Sequence, residues 1–196
     1  MPAPRLIIAS TSRYRRELLA RLRLPFDVVS PGVDEAALDG EQPAALATRL
    51  ALAKAQAVAA NAADAVVIGS DQVADFDGRA IGKPGSHDRA VEQLTLMSGQ
   101  RVVFHTAVAV VRRDRSFERA LLAPVSVVFR HLSRDEIERY LQLDTPYDCA
   151  GSAKSEALGV ALLDSIDSDD PTALIGLPLI RTCALLREAG LDPLDA

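Results

Sequence analysis

The stretch Leu6-Ile7-Ile8-Ala9-Ser10-Thr11-Ser12-Arg13-Tyr14-Arg15-Arg16 constrains this chain more than any other, because the backbone must change geometry within three residues. An apolar run of strand type ends in three hydroxyl residues, and a helical pattern starts at once with Leu18, Leu19 and Leu22 on one face. The stretch therefore predicts a strand, a tight loop and a helix start. Ser10, Thr11 and Ser12 suit an N-cap, but a cap is normally followed by acidic residues, since a helix N-terminus carries partial positive charge. Arg13, Arg15 and Arg16 crowd that end instead. Two readings follow. Either the arginines splay into solvent at a cost of ~0.5 kcal/mol each, or an anion such as a phosphate sits among them, the hydroxyls and the unpaired backbone N–H groups.

The remaining composition narrows the setting. A chain of 196 residues can bury a sizeable core and predicts one domain over 1–196, with two lobes about a cleft. A net charge of −5 argues against a nucleic-acid polymer as partner, so a polyanionic ligand needs a local basic cluster. Cys149 and Cys183 are too few and too far apart for a zinc knuckle or a disulfide framework, and His87, His105 and His131 show no metal spacing. The N-terminal apolar run is too short for a signal-peptide core or a membrane span, so the expectation is a cytoplasmic protein with no membrane partner. Of 22 basic residues only Lys54, Lys83 and Lys154 are lysines. Chance explains that bias, or these lysines mark places where a compact point charge cannot be exchanged for a planar fork.

Further along, residues 26–30 read as a strand stopped by Pro31-Gly32, and Val33-Asp34-Glu35 follows in a loop whose carboxylates suit either a turn or a hard cation. A long Ala-rich helix is predicted over 43–61, with Pro43 in its first turn and Lys54 at the edge of its apolar stripe. The run 64–73 is a continuous apolar strand broken by Gly69, which delivers Asp71 at its carboxyl end, where open α/β sheets place ligands and chemistry. Asp71 there suits a general base or a metal ligand. Asp77-Gly78 signals a short hairpin leading into Gly82-Lys83-Pro84-Gly85, which lacks the Walker A spacing.

Ser86 caps the next helix and Gly99 closes it. Residues 101–112 and 120–131 predict neighbouring antiparallel strands; His105 reads as a satisfied core histidine or as a group in a cleft. Ser133 with Glu136 forms a capping box. The small, polar segment 148–156 carries Lys154 and Glu156, two apart, and precedes a strand-like run over 158–163. Ser152 with Lys154 also permits a weak Ser/Lys hydrolase reading. An acidic turn, the break Gly176-Leu177-Pro178 and a final amphipathic helix complete an α/β pattern on a mixed, twisted sheet with flanking helices.

The segments 9–16, Val33-Asp34-Glu35, Gly69-Ser70-Asp71-Gln72-Val73, Gly82-Lys83-Pro84, Ala150-Gly151-Ser152-Ala153-Lys154-Ser155-Glu156 and Gly176-Leu177-Pro178-Leu179 resemble, in order, the signatures of the Maf family of nucleoside triphosphate pyrophosphatases. The resemblance spans nearly the whole chain. It implies an inosine-triphosphatase-like, two-lobed α/β fold with a central cleft, a divalent cation (Mg²⁺ or Mn²⁺), and hydrolysis of a nucleoside triphosphate to a monophosphate and pyrophosphate. It makes Asp71 the proton acceptor and Glu35 an acidic residue near metal and water, both candidate metal ligands. Ser10, Ser12, Arg15 and Arg16 fall on the phosphate loop, with Lys54 and Lys83 as further charge partners, and Lys154 on the later motif is a further candidate for binding the substrate.

Tyr14, Gln72 and Glu156 resemble the subgroup acting on 7-methyl-GTP rather than the one acting on dTTP and UTP. Glu156 suits the donors of a guanine edge, and Tyr14 suits stacking on a cationic methylated ring. Tyr14 packing on its helix and Glu156 pairing with Lys154 are the plainer alternatives. The family's association with inhibition of septum formation leaves a nucleotide-binding regulator as a further reading, and a homodimer is a family expectation.

Overall fold

The computed structural model describes residues 4–195. In chain order its elements are β1 (Leu6–Ala9), α1 (Arg13–Ala20), β2 (Asp27–Val29), α2 (Pro43–Ala59), β3 (Val66–Phe76), β4 (Arg79–Ile81), α3 (His87–Met97), β5 (Arg101–Arg112), β6 (Phe117–Phe129), α4 (Arg134–Asp144), β7 (Leu163–Asp167) and α5 (Leu179–Glu188). They build one mixed seven-stranded sheet in the order β2-β1-β3-β5-β6-β7, with β4 also paired to β3. β1 is parallel to β2 and to β3, and every other pairing is antiparallel. The mixed α/β sheet with flanking helices is the architecture that the alternating pattern predicts.

The strand alternation explains why β1 and the first half of β3 read as unbroken apolar runs. Leu6, Ile8, Val66 and Ile68 turn to one face, where Leu18 and Leu19 of α1 and Leu185 and Leu186 of α5 cover them. Ile7, Ala9 and Val67 turn to the other face, under Leu46, Leu50 and Val58 of α2. With both faces covered, every side chain of these strands is buried, the usual condition of parallel strands. A third cluster lies further along the same sheet, where α3 and α4 cover Phe104, Val125, Val127 and Phe129 of β5 and β6.

Two features of this topology create the site. The chain leaves β1 for β2 on one side and then crosses to β3 on the other, so the carboxyl end of β1 is a switch point in strand order, where open α/β sheets form a crevice. In addition, β1 pairs with β3 only as far as Ile68, and β4 takes up that edge of β3 only from Ala74. Between them Gly69, Ser70, Asp71, Gln72 and Val73 keep their β5 partners on the opposite edge and, among the described residues, have no strand beside them on this one.

Several local expectations change in extent. The second strand contracts to three residues, and the 120–131 strand moves to Phe117–Phe129, its charged connection tightening into a single three-residue turn. The run 158–163 is not a strand: Leu158–Leu162 form 3₁₀ turns and pairing begins at Leu163. Gly159 gives the reason, since a Cβ there would fall 2.5 Å from the Lys154 carbonyl oxygen, so the chain folds back on itself before it can extend. The Ser133 and Glu136 capping box forms as expected.

Candidate active site

A cleft of about 770 Å³ opens at the switch point, within the range of small-molecule sites. Its lining brings together segments that are distant in sequence: Ser10, Ser12, Tyr14 and Arg15 after β1, Glu35 before α2, Lys54 on α2, Asp71 and Gln72 on β3, Lys83 after β4, and Glu156. Arg16 and Lys154 are not among the lining residues. Arg16 is exposed on α1, and Lys154 is buried with its Nζ donating to the Asp144 carbonyl at 2.9 Å and lying 4.0 Å from Asp148.

The loop after β1 satisfies itself through its hydroxyls. The Ser12 N–H donates to Ser10 Oγ at 3.1 Å, and the Arg15 N–H donates to Ser12 Oγ at 3.4 Å, so Ser12 is the N-cap of α1. No acidic residue occupies the first turn. Arg15 turns inward, and its Nε donates to the Gly176 carbonyl at 2.9 Å. Burial lowers the pKa of this guanidinium, with Asp71 and Glu35 opposing that effect. Among the described residues no carboxylate reaches Arg15 within 4.0 Å.

Arg13 is exposed but not free of contacts. It donates to the Tyr14 hydroxyl at 2.7 Å, and its guanidinium carbon lies 4.7 Å from the ring centroid. The Tyr14 hydroxyl reaches Asp148 at 3.4 Å, which links α1 to the 148–156 segment at the cleft, and burial pushes the phenol up to about 12.

Opposite this loop, Lys54, Glu35 and Asp71 form one cluster. The Lys54 ammonium lies 2.6 Å from Glu35 Oε1 and 2.6 Å from Asp71 Oδ1. Lys54 and Asp71 are buried, whereas Glu35 is more than half exposed. Burial works to raise the Glu35 pKa, but the hydrogen bond and charge of Lys54, helped by Lys83 and Arg15, outweigh it and hold the carboxyl below its ordinary value. Gly69 makes this cluster possible: a Cβ there would lie 2.1 Å from the Ala51 carbonyl and 2.6 Å from the Ala55 nitrogen, so only glycine lets α2 settle on β3 and bring Lys54 to Asp71. The close approach that the sequence suggests at Gly69 is that of a helix.

On the opposite face of β3, Ser70 and Gln72 do different work. The Gln72 amide nitrogen lies 2.9–3.0 Å from Thr106 Oγ1 and the carbonyls of Ala173 and Leu174, so its donors are engaged by the protein while its side chain still borders the cleft. Ser152 donates to Gln93, and Lys154 points to Asp144, so the two members of the weak Ser/Lys reading diverge. Glu156 is exposed and forms no ion pair with Lys154. His105 faces Asp75 through Nε2 at 3.1 Å, and its buried Nδ1 has no partner among the described residues. Sequence reasoning did not reach the contact of Tyr14 with Asp148 and Cys149, or the use of the Gly176 carbonyl by Arg15. The break at Gly176-Leu177-Pro178 was the one visible signal for the latter.

No helix among the described residues is long and apolar enough to cross a membrane. A solved structure titled as the Ham1 protein of Staphylococcus aureus covers 79% of this chain and 89% of its own, with a TM-score of 0.47 and 18% identity. Three relatives named 7-methyl-GTP pyrophosphatase are far more similar in sequence. The protein from a Polaromonas species is 65% identical over 94% of this chain and 84% of its own, and that from Albidiferax ferrireducens is 63% identical over 98% and 96%. The Xanthomonas axonopodis protein is 59% identical over 95% and 97%. A family model described as Maf-like protein matches residues 5–189, a span that holds every lining segment of the cleft, and the chain accordingly belongs to the Maf family.

Proposed function

We propose that this protein is a nucleoside triphosphate pyrophosphatase that acts on 7-methyl-GTP, the substrate in its relatives' names, and hydrolyses the bond between the α- and β-phosphates. The observation that carries the reading is the contrast between two cations in one cleft. Lys54 is saturated by two carboxylates, whereas the half-buried Arg15 has no carboxylate within ion-pair distance among the described residues. A desolvated guanidinium without a counterion favours an anion, and its planar fork matches the oxygens of a phosphate. Lys83, which also lines the cleft, and the Ser10 and Ser12 hydroxyls add donors for a chain of phosphates.

The donor set suits a hard divalent cation. Glu35 and Asp71, whose oxygens Oε1 and Oδ1 both contact the Lys54 ammonium, are the two carboxylates that would hold such a cation. Mg²⁺ sites use one or two carboxylates together with substrate phosphates, and Mn²⁺ has the same preference for oxygen. Such a cation, when bound, supplies charge neutralisation on the phosphates and the leaving pyrophosphate. Asp71, held by its hydrogen bond from Lys54, accepts the proton of the attacking water. Arg15 and Lys83 stabilise charge that grows on the departing group. Tyr14 offers a ring to the base and Glu156 a carboxylate to its donor edge, both favoured by the positive charge of 7-methylguanine.

A panel of 7-methyl-GTP, GTP, dTTP and UTP, assayed for pyrophosphate with and without Mg²⁺, tests the reading. Highest kcat/KM on 7-methyl-GTP, with dependence on the cation, is the expected outcome. Preference for dTTP or UTP would move the protein to the other subgroup, and binding without release of pyrophosphate would make it a regulator.

A further inference from the structure

The Gly176-Leu177-Pro178-Leu179 segment has no role in the function proposed above, yet it touches Arg15, a cleft cation that has no carboxylate within 4.0 Å among the described residues. The Gly176 carbonyl accepts from Arg15 Nε at 2.9 Å and lies 3.1 Å from Ser70 Oγ, whose proton is also within reach of the Ala107 carbonyl at 2.8 Å. Gly176 has φ +125°, a backbone geometry that side-chain-bearing residues rarely adopt, so the direction of its carbonyl depends on the whole turn. That turn is tied at its base by Thr172. The Leu179 N–H donates to Thr172 Oγ1 at 2.8 Å, and Thr172 Oγ1 in turn donates to the Leu177 carbonyl at 2.8 Å, closing the loop around Gly176. From the sheet, Gln72 and Thr106 hold the first part of the same loop through the Ala173 carbonyl.

We propose that Thr172 is a positioning residue for Arg15, acting through the Gly176 carbonyl. This rests on the reading of Arg15 as a phosphate ligand. Thr172 is not among the residues that line the cleft, so its hydroxyl affects an anion there through the loop it closes. With Nε committed to Gly176, the two terminal nitrogens of Arg15 form the fork available to phosphate oxygens. Without the Thr172 knot the carbonyl direction is no longer fixed, and the fork loses its aim while its charge remains.

Thr172→Val keeps the shape of the side chain and removes the hydroxyl with its contacts to Leu177, Leu179 and, at 3.3 Å, Asp170 Oδ1; Thr172→Ser keeps the hydroxyl and removes a methyl group. Inorganic pyrophosphate with Mg²⁺, titrated calorimetrically, is the probe, with melting curves to establish folding. Thr172→Val is expected to bind pyrophosphate about tenfold more weakly, the effect of losing one well-made contact. Thr172→Ser is expected to stay within about twofold of the wild type. On an Arg15→Lys background, Thr172→Val is expected to add less than about a twofold loss, because a coupled pair is not additive.

Wild-type affinity in a folded Thr172→Val protein overturns the inference, as does an undiminished loss on the Arg15→Lys background or a Thr172→Ser protein as weak as Thr172→Val. Should Thr172→Val fail to fold, Ser70→Ala removes the other donor at the Gly176 carbonyl. Its pyrophosphate loss must likewise depend on Arg15, and an Arg15-independent loss refutes the proposal. Failure of the wild type itself to bind pyrophosphate overturns the proposed function together with this inference, whereas wild-type binding with no Thr172 effect overturns the inference alone.

Discussion

Replacing Gly69 by alanine tests how the site is assembled. The new methyl carbon would sit 2.1 Å from the Ala51 carbonyl oxygen and 2.6 Å from the Ala55 nitrogen, both backbone atoms of α2. No rotamer change relieves contacts with backbone, so the helix itself must retreat. Overpacking costs about 1–3 kcal/mol, and a clash that only a rigid helix can relieve belongs at the upper end, near 3 kcal/mol. For a chain of this length each kcal/mol lowers Tm by about 2–4 °C, so a drop of about 6–12 °C is expected. Because Lys54 rides on α2 and its partner Asp71 lies two residues from Gly69, the same displacement opens the 2.6 Å contact between them, and nucleotide turnover falls beyond what the lost stability explains. Melting followed by circular dichroism and turnover assayed well below Tm separate the two effects. An Ala55→Gly second change removes only the side-chain contact at 3.0 Å and leaves both backbone contacts, so it restores little. A Gly69→Ala protein that melts like the wild type and turns over normally would refute the close docking of α2 as the device that builds the cluster.

Asp71→Asn is expected to lower kcat by about 10²–10⁴-fold, the usual contribution of a general base, while nucleotide binding measured by calorimetry persists; near-normal release of pyrophosphate would remove Asp71 from the role of base. Glu136 carries a pH prediction. The Ser133 N–H at 2.8 Å, then Arg130, hold its carboxyl at about 2, well below its ordinary value. A depressed folded-state value gives stability that is present above the unfolded pKa and lost as pH falls through the folded one. Glu136→Gln should therefore be less stable than the wild type in urea at pH 7, with the difference closing between about pH 4.3 and pH 2. A difference independent of pH would contradict the charge as its origin.

Much of the fold was legible because local chemistry and tertiary demand agree. The apolar run before Ser10 is a strand buried on both faces, Ser133 with Glu136 caps α4, and Asp77-Gly78 turns the β3–β4 hairpin, with φ of +53° and +78°. What could not be read depends on contacts that no local pattern announces. Gly159, inside the apolar run that suits a strand, packs on the backbone of Lys154 just before it, and the run forms tight turns there. Composition marked the three lysines as unusual, yet no local signal distinguishes Lys54, which holds two carboxylates, from Lys154, which turns away to the Asp144 carbonyl. The motif containing Gln72 is equally visible in sequence, while the engagement of its amide by the 173–174 carbonyls is a product of the β3–β5 register and the loop laid over it.

Incubation of the protein with 7-methyl-GTP and Mg²⁺, with products resolved by chromatography and mass, shows which phosphate bond breaks. 7-methyl-GMP and pyrophosphate in equal amounts are the expected products. Formation of 7-methyl-GDP with orthophosphate would contradict cleavage between the α- and β-phosphates.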